Sequence, residues 1–162
     1  MNRKQLLAVW MLTCILSTVT VTLVQAQMPA DHVMAQPGDL KWVDGPPGLP
    51  PGCKMAVLDG NPGGNGLFTV RLKFPDGYKI MSHFHPTDEN IVVLKGNFMM
   101  GIGDKFDEKS LKPMSEGGFM SMKAGTHHYA MAKGETIIQL YALAPFMITY
   151  VNPDDDPSKK TK

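Results

Sequence analysis

Phe68, Val70, Leu72 and Phe74 alternate with Thr69, Arg71 and Lys73, a two-residue period that only an extended strand converts into one apolar face. Shorter β-like runs recur along the chain: Leu40 to Val43, Cys53 to Leu58, Ile91 to Leu94, Phe98 to Ile102, Phe119 to Met122, His127 to Ala132, Thr136 to Leu143 and Pro145 to Val151. Between them lie glycine and proline punctuators. Gly45 to Gly52 is a Pro/Gly loop, in which the prolines fix φ and remove donors, so it reads as a rigid strap or, less well, a polyproline ligand. Asp59 to Gly66 is a turn region, and no helix pattern follows that would make it a phosphate cradle. Lys95-Gly96-Asn97 is expected to close a hairpin, and Lys133-Gly134-Glu135 to form another tight turn. Beyond residue 26 no amphipathic helix of useful length is found. These features predict an all-β sandwich or barrel.

The first 26 residues differ in kind. Asn2-Arg3-Lys4 is a short basic segment, an apolar run follows from Leu6 to Val24, and Val24-Gln25-Ala26 places small residues before Gln27. That is the order of a secretory signal peptide over residues 1–26, preferred to an uncleaved membrane anchor because the cleavage site is well placed. Met11-Leu12-Thr13 before Cys14 makes a poor lipoprotein signal. The expected organisation continues with an extended arm over 27–38, one domain over 39–152 and a charged tail over 153–162 expected to lack structure. His32, in the arm, is expected to face solvent.

Export sets the charge and the cysteines. Loss of Arg3 and Lys4 takes the formal charge from +1 to −1. No basic stripe exists to neutralise phosphates, so no nucleic-acid partner is expected, and after cleavage no membrane. Cys14 leaves with the signal segment, so Cys53 has no internal partner, and a buried, inert thiol is expected.

Chemistry concentrates in one stretch. His83 and His85 are two apart in a β-like run, so both imidazoles project from one face. Glu89 follows a Pro-Thr-Asp turn and returns toward the same point. Downstream, Gly117 to His128 offers a fourth ligand, His128 in preference to its neighbour His127. Three histidines and a carboxylate suit a divalent transition metal: Fe, Mn, Ni, Zn or Cu. Without one, burying them would carry a large desolvation cost. Arg71, the only arginine beyond the leader, is a candidate clamp for a substrate carboxylate if its face lines the barrel mouth, and an ordinary surface residue otherwise. Tyr78, with Tyr129 and Tyr141, is a candidate proton donor, although packing is the commoner role. Met81, two residues before His83, is expected to share its inward face. Thioethers favour Cu(I), but flexible methionine filling an irregular core is the preferred reading.

The spacing resembles the cupin superfamily. Gly77, five residues, His83-x-His85, three residues, Glu89, six residues and Gly96 match the first cupin motif at each anchor. Gly117, five residues and Lys123-x-Gly125-x-x-His128 resemble the second, with Lys123 where the family usually has proline and Ala132 where it often has asparagine. The resemblance implies a double-stranded β-helix, or jelly-roll barrel, with His83, His85, Glu89 and His128 as metal ligands. It is closest in character to small exported single-domain bacterial cupins, periplasmic or secreted, and it implies a homodimer. Two functions are expected from it: a metal-dependent enzyme, dioxygenase-like or isomerase-like, acting on a small organic molecule; or a non-catalytic protein that binds a small ligand or metal.

Overall fold

The alternation written into the sequence becomes nine antiparallel strands in one sheet among the described residues, which are 32–160 of this computed structural model. The expected signal segment, Cys14 and residues 27–31 of the arm lie outside the described residues. The strands are β1 (Val43–Asp44), β2 (Lys54–Asp59), β3 (Gly66–Phe74), β4 (Lys79–Phe84), β5 (Glu89–Ile102), β6 (Lys112–Ser115), β7 (Phe119–Met122), β8 (His128–Ala144) and β9 (Thr149–Tyr150). Helical structure among the described residues is confined to short 3-10 turns, and no helix there is long and apolar enough to cross a membrane.

β8 is the spine. On one side its C-terminal half pairs with β3, from Gly66↔Ala144 to Phe74↔Thr136, and its N-terminal end pairs with β4 at His83↔His128. On the other side β5 follows it from Glu89↔Ala142 to Ile102↔His128. β7 and β6 extend β5, while β2 and β1 extend β3. The inward residues of β3, β5 and β8 form the core: Phe68, Val70, Leu72 and Phe74, then Ile91, Val93 and Phe98, then Ala130, Ala132, Ile138, Leu140 and Ala142. Every second residue of β3 from Phe68 is buried, as the pattern demands.

Two sequence expectations fail at the same place. Lys95-Gly96-Asn97 does not close a hairpin and Lys133-Gly134-Glu135 does not end a strand: β5 and β8 run through both segments. The ladder instead shifts register between Val93 and Asn97, opposite Lys133 to Ile138. Gly96 (φ +78°) and Gly134 (φ +75°) supply left-handed bulge conformations rather than reversals. The bulges pack closely, since a Cβ on Gly96 would lie 2.5 Å from the Glu135 carbonyl oxygen. The last expected strand is also shorter: only Thr149 and Tyr150 pair, with β4, and Pro145 to Ile148 form a strap outside the ladders. Proline at the start of that segment lacks the donor a ladder needs. The C-terminal segment, expected to lack structure, forms two 3-10 turns, Pro153–Asp155 and Pro157–Lys159. The Asn152 and Asp156 side chains stop them fraying by accepting from the Asp154 and Ser158 amides.

Candidate metal centre

β4 and the start of β8 bring three imidazoles together. His83, His85 and His128 are all buried and each offers a ring nitrogen within 4.8 Å of the other two. Alternation carries His83 and His85 to one face, but it does not hold along all of β4. The register with β8 shifts between Ile80 and His83, so Ile80 lines the cavity with the histidines and Met81 does not. The expectation that Met81 shares the face of His83 is corrected by that bulge, which turns one extra residue between them.

The tautomers follow from the hydrogen bonds. His83 Nδ1 lies 2.7 Å from the Met81 carbonyl, His85 Nδ1 2.7 Å from the Met147 carbonyl and His128 Nδ1 2.9 Å from the Thr126 carbonyl. A carbonyl oxygen only accepts, so each Nδ1 carries the proton and donates. In its neutral form each ring therefore presents its Nε2 lone pair. Burial holds His83 well below its ordinary pKa, and the nearby His128 and His85 rings push the same way. His85 is also lowered: burial outweighs Glu89 and the Met147 carbonyl, which favour the charged form.

Glu89, at the first position of β5, completes the centre. Its Oε1 lies 3.6 Å from His85 Nε2 and its Oε2 3.3 Å from His128 Nε2. Only 5% of Glu89 and 6% of His85 is exposed, yet Glu89 Oε2 and His85 Nε2 have no hydrogen-bond partner. Buried polar groups are otherwise paired, so this arrangement calls for an electropositive partner. Three imidazole nitrogens and one carboxylate fit a divalent transition metal, and not the all-oxygen shell of calcium or magnesium.

The centre opens into a cavity of about 420 Å³. Among the described residues lining it, His83, His85, Glu89 and His128 are the only polar side chains. The Pro/Gly strap contributes Pro46, Gly48 and Leu49 to the wall, and the later strap contributes Phe146, Met147 and Ile148. The Pro/Gly strap is held in place by two tyrosines: Tyr150 donates to the Gly48 carbonyl at 2.8 Å, and Tyr78 donates to the Pro50 carbonyl.

A family model described as the ChrR cupin-like domain matches residues 30–146 of this chain. The chain belongs to the cupins. No curated protein matches it in sequence. Among solved structures this cupin is similar to a polyketide cyclase from Streptomyces resistomycificus, with a TM-score of 0.61 and 18% identity over 78% of this chain and 89% of the other. An RmlC-like cupin from Shewanella frigidimarina superposes with a TM-score of 0.54 and 18% identity, over 67% of this chain and 87% of its own. A salicylate 1,2-dioxygenase from Pseudoaminobacter salicylatoxidans, described in adducts with gentisate, gives a TM-score of 0.51 and 12% identity over 62% of this cupin and 29% of the enzyme. At these identities the likeness is one of fold.

The remaining candidates fall outside the cavity. Arg71 lies on the outer face of β3, opposite the inward Val70 and Leu72, and its Nε donates to Gln139 Oε1 at 3.1 Å. It cannot clamp a ligand inside this cupin, because the alternation that buries Val70 turns it outward. Tyr78 is spent on the Pro50 carbonyl and stacks on Phe74, while burial raises its pKa, so it serves as a strut rather than a proton donor to the cavity. Tyr129 packs against Phe106, and neither it nor Tyr141 lines the cavity. His127 points away from the centre, bonded to Asp104 at 2.7 Å and stacked on Phe84. His32 is exposed, and Cys53 is buried with its thiol pushed up to about 12, as an inert sulfur should be. Of the methionines near the motif strands, Met100 reaches the cavity and Met120 packs against the core.

Sequence reasoning missed the partners of His85. Phe146 stacks on the His85 ring at 4.2 Å and 19°, and the Met147 carbonyl fixes its tautomer. Both lie far beyond the reach of any strand or helix period, so no local pattern could reveal them. Pro145 was the available signal, because it breaks the ladder and frees the next residues to fold over the barrel mouth.

Proposed function

We propose that this cupin is a metal-dependent enzyme acting on a small organic molecule outside the cytoplasm. The observation that carries it is the pair of orphaned buried atoms, Glu89 Oε2 and His85 Nε2, among four ligand groups at one pole of an apolar cavity. His83, His85, His128 and Glu89 would hold the metal through three Nε2 lone pairs and the carboxylate. When bound, a divalent metal would supply a Lewis acid, and with Fe, Mn or Cu also a redox centre. The chain does the rest. The Met81, Met147 and Thr126 carbonyls keep each ring in the tautomer that binds, a hydrogen-bonded arrangement that orients a ligand before it is needed. The apolar wall excludes water from the bound molecule. Among the described residues, Glu89 is the one carboxylate on the cavity wall able to accept a proton from it. Export is supported by the basic and apolar leader before Gln27. A homodimer is supported by apolar side chains on the outer face, Leu67 beside Leu143 and Phe119 beside Val92, and light scattering in solution tests it.

One observation favours the second reading, a binding protein without turnover: beyond the four ligand groups the described cavity wall offers no acid or base. The first experiment is the metal content of the protein purified from its native compartment without added metal. About one equivalent per chain is expected, falling close to zero in His83→Ala, His85→Ala and His128→Ala, with a lower melting temperature in each. An unchanged metal content in all three variants refutes the centre. Oxygen uptake with candidate substrates then separates enzyme from binder.

A further inference from the structure

The parts of the cavity wall carried on strands are locked in ladders, and its mouth is not. Met55, Phe68, Ile80, Glu89 and His128 reach the cavity from β2, β3, β4, β5 and β8, each paired with a neighbouring strand. Parting any two of those strands breaks several backbone hydrogen bonds together. Pro46, Gly48 and Leu49 of the Pro/Gly strap belong to no ladder. Among the described residues, hydrogen bonds hold 46–51 to the barrel at two points, the Gly48 carbonyl on Tyr150 and the Pro50 carbonyl on Tyr78. Losing one such bond to water shifts a population about fivefold. Burial raises the pKa of both tyrosines, so both hydroxyls stay protonated and keep donating.

The strap is a stiff piece between two joints. Pro46, Pro47, Pro50 and Pro51 fix φ along it, and the Leu49 amide closes back on the Pro46 carbonyl at 2.9 Å. Gly45 and Gly52 flank it, and Gly52 sits at φ +104°, a conformation that suits glycine. The Gly45 amide donates to the Cys53 carbonyl at 2.9 Å, which draws the two joints together at the base. The later strap is the fixed jaw: the Phe146 amide donates to the Pro62 carbonyl at 2.8 Å, and the Phe146 ring lies on His85. The jaws touch, since a Cβ on Gly48 would lie 2.5 Å from Ile148 Cγ2 and 4.0 Å from Ile148 Cβ. We infer that residues 46–51 form a lid hinged at Gly45 and Gly52 and latched by Tyr78 and Tyr150, and that molecules enter the cavity through its seam with Ile148. Opening the lid breaks two hydrogen bonds and lifts Leu49 off the core, and every ladder stays intact.

The test joins Gly48→Cys with Ile148→Cys in the full protein after export. A Cβ separation of 4.0 Å suits a disulfide, and Cys53 does not compete because burial pushes its thiol up to about 12. The probe is diethyl pyrocarbonate, which acylates neutral imidazole, applied after treatment with a chelator so that the result is independent of the metal reading. Peptide mass spectrometry compares His83 and His85 with the exposed His32. The disulfide is expected to slow modification of His83 and His85 at least about tenfold, with His32 unchanged, and reduction is expected to restore the rate. Tyr150→Phe, which adds no cysteine, should speed modification of both about fivefold, the share of one latch. Equal modification of His83 and His85 with the disulfide closed and open overturns the lid. So does a Tyr150→Phe rate equal to that of the unaltered protein, or failure of the two cysteines to join under an oxidant.

Discussion

The β5–β8 ladder buries polar groups at its kink and beside its first pair, and it treats them in opposite ways. Where the ladder kinks, Thr136 is wholly buried, but its hydroxyl lies 3.1 Å from the carbonyls of both Asn97 and Gly134. Lys95 and Glu135 meet at 2.7 Å on the surface beside it. At the ligand end, Glu89 and His85 are nearly as buried and leave one atom each without a partner. The kink is a closed structural device whose needs are met within the chain. The ligand end is open in the chemical sense: the fold assembles it and leaves its satisfaction to something outside the polypeptide.

Substitutions at the kink and at the ligand end should therefore separate stability from metal binding. The largest effect is expected at the kink. Gly96→Ala forces a side chain into a left-handed conformation and against the Glu135 carbonyl, and should cost about 3 kcal/mol in a denaturant titration. The surviving folded fraction should still bind metal; loss of metal without loss of stability would erase the distinction. Glu89→Gln should do the reverse. Its amide can donate toward His85 Nε2, so the metal-free protein should gain about 1 kcal/mol. Metal affinity should fall at least about tenfold, the scale that even the hydrogen-bonding neighbours of a ligand command. A Glu89→Gln variant that is less stable without metal and binds it equally well would show that the orphaned atoms carry no function. Thr136→Val removes one buried hydroxyl donor and should destabilise by about 1 kcal/mol, with metal affinity unchanged by competition against a chelator. Arg71→Ala should be the mildest, within about 0.5 kcal/mol in thermal unfolding and without effect on ligand affinity, because its guanidinium meets Gln139 on the outer face. A measurable loss of ligand affinity there would return Arg71 to the site.

Local patterns were legible wherever one period governed one strand. The burial of Phe68, Val70, Leu72 and Phe74 follows from alternation alone, and so does the pairing of His83 with His85. Reading failed where a strand changes its phase. Glycine between two β-like runs suits a reversal and a bulge equally well, because both use positive φ, so Gly96 and Gly134 looked like turns. The bulge in β4 likewise put Ile80 in the cavity in place of Met81. Choosing between turn and bulge depends on the partner strand, and its register is a long-range fact.

The sequence by itself determined the all-β class, the inward face of β3 and the pairing of His83 with His85, because each follows from the spacing of near neighbours along the chain. Tertiary structure decided the rest. It placed Arg71 and Tyr78 outside the cavity, folded Phe146 and the Met147 carbonyl onto His85, and surrounded the centre with apolar wall. Those outcomes depend on which strands lie side by side. Side-chain alternation says that a residue has two faces to choose from, and only the curled sheet says which one is inside.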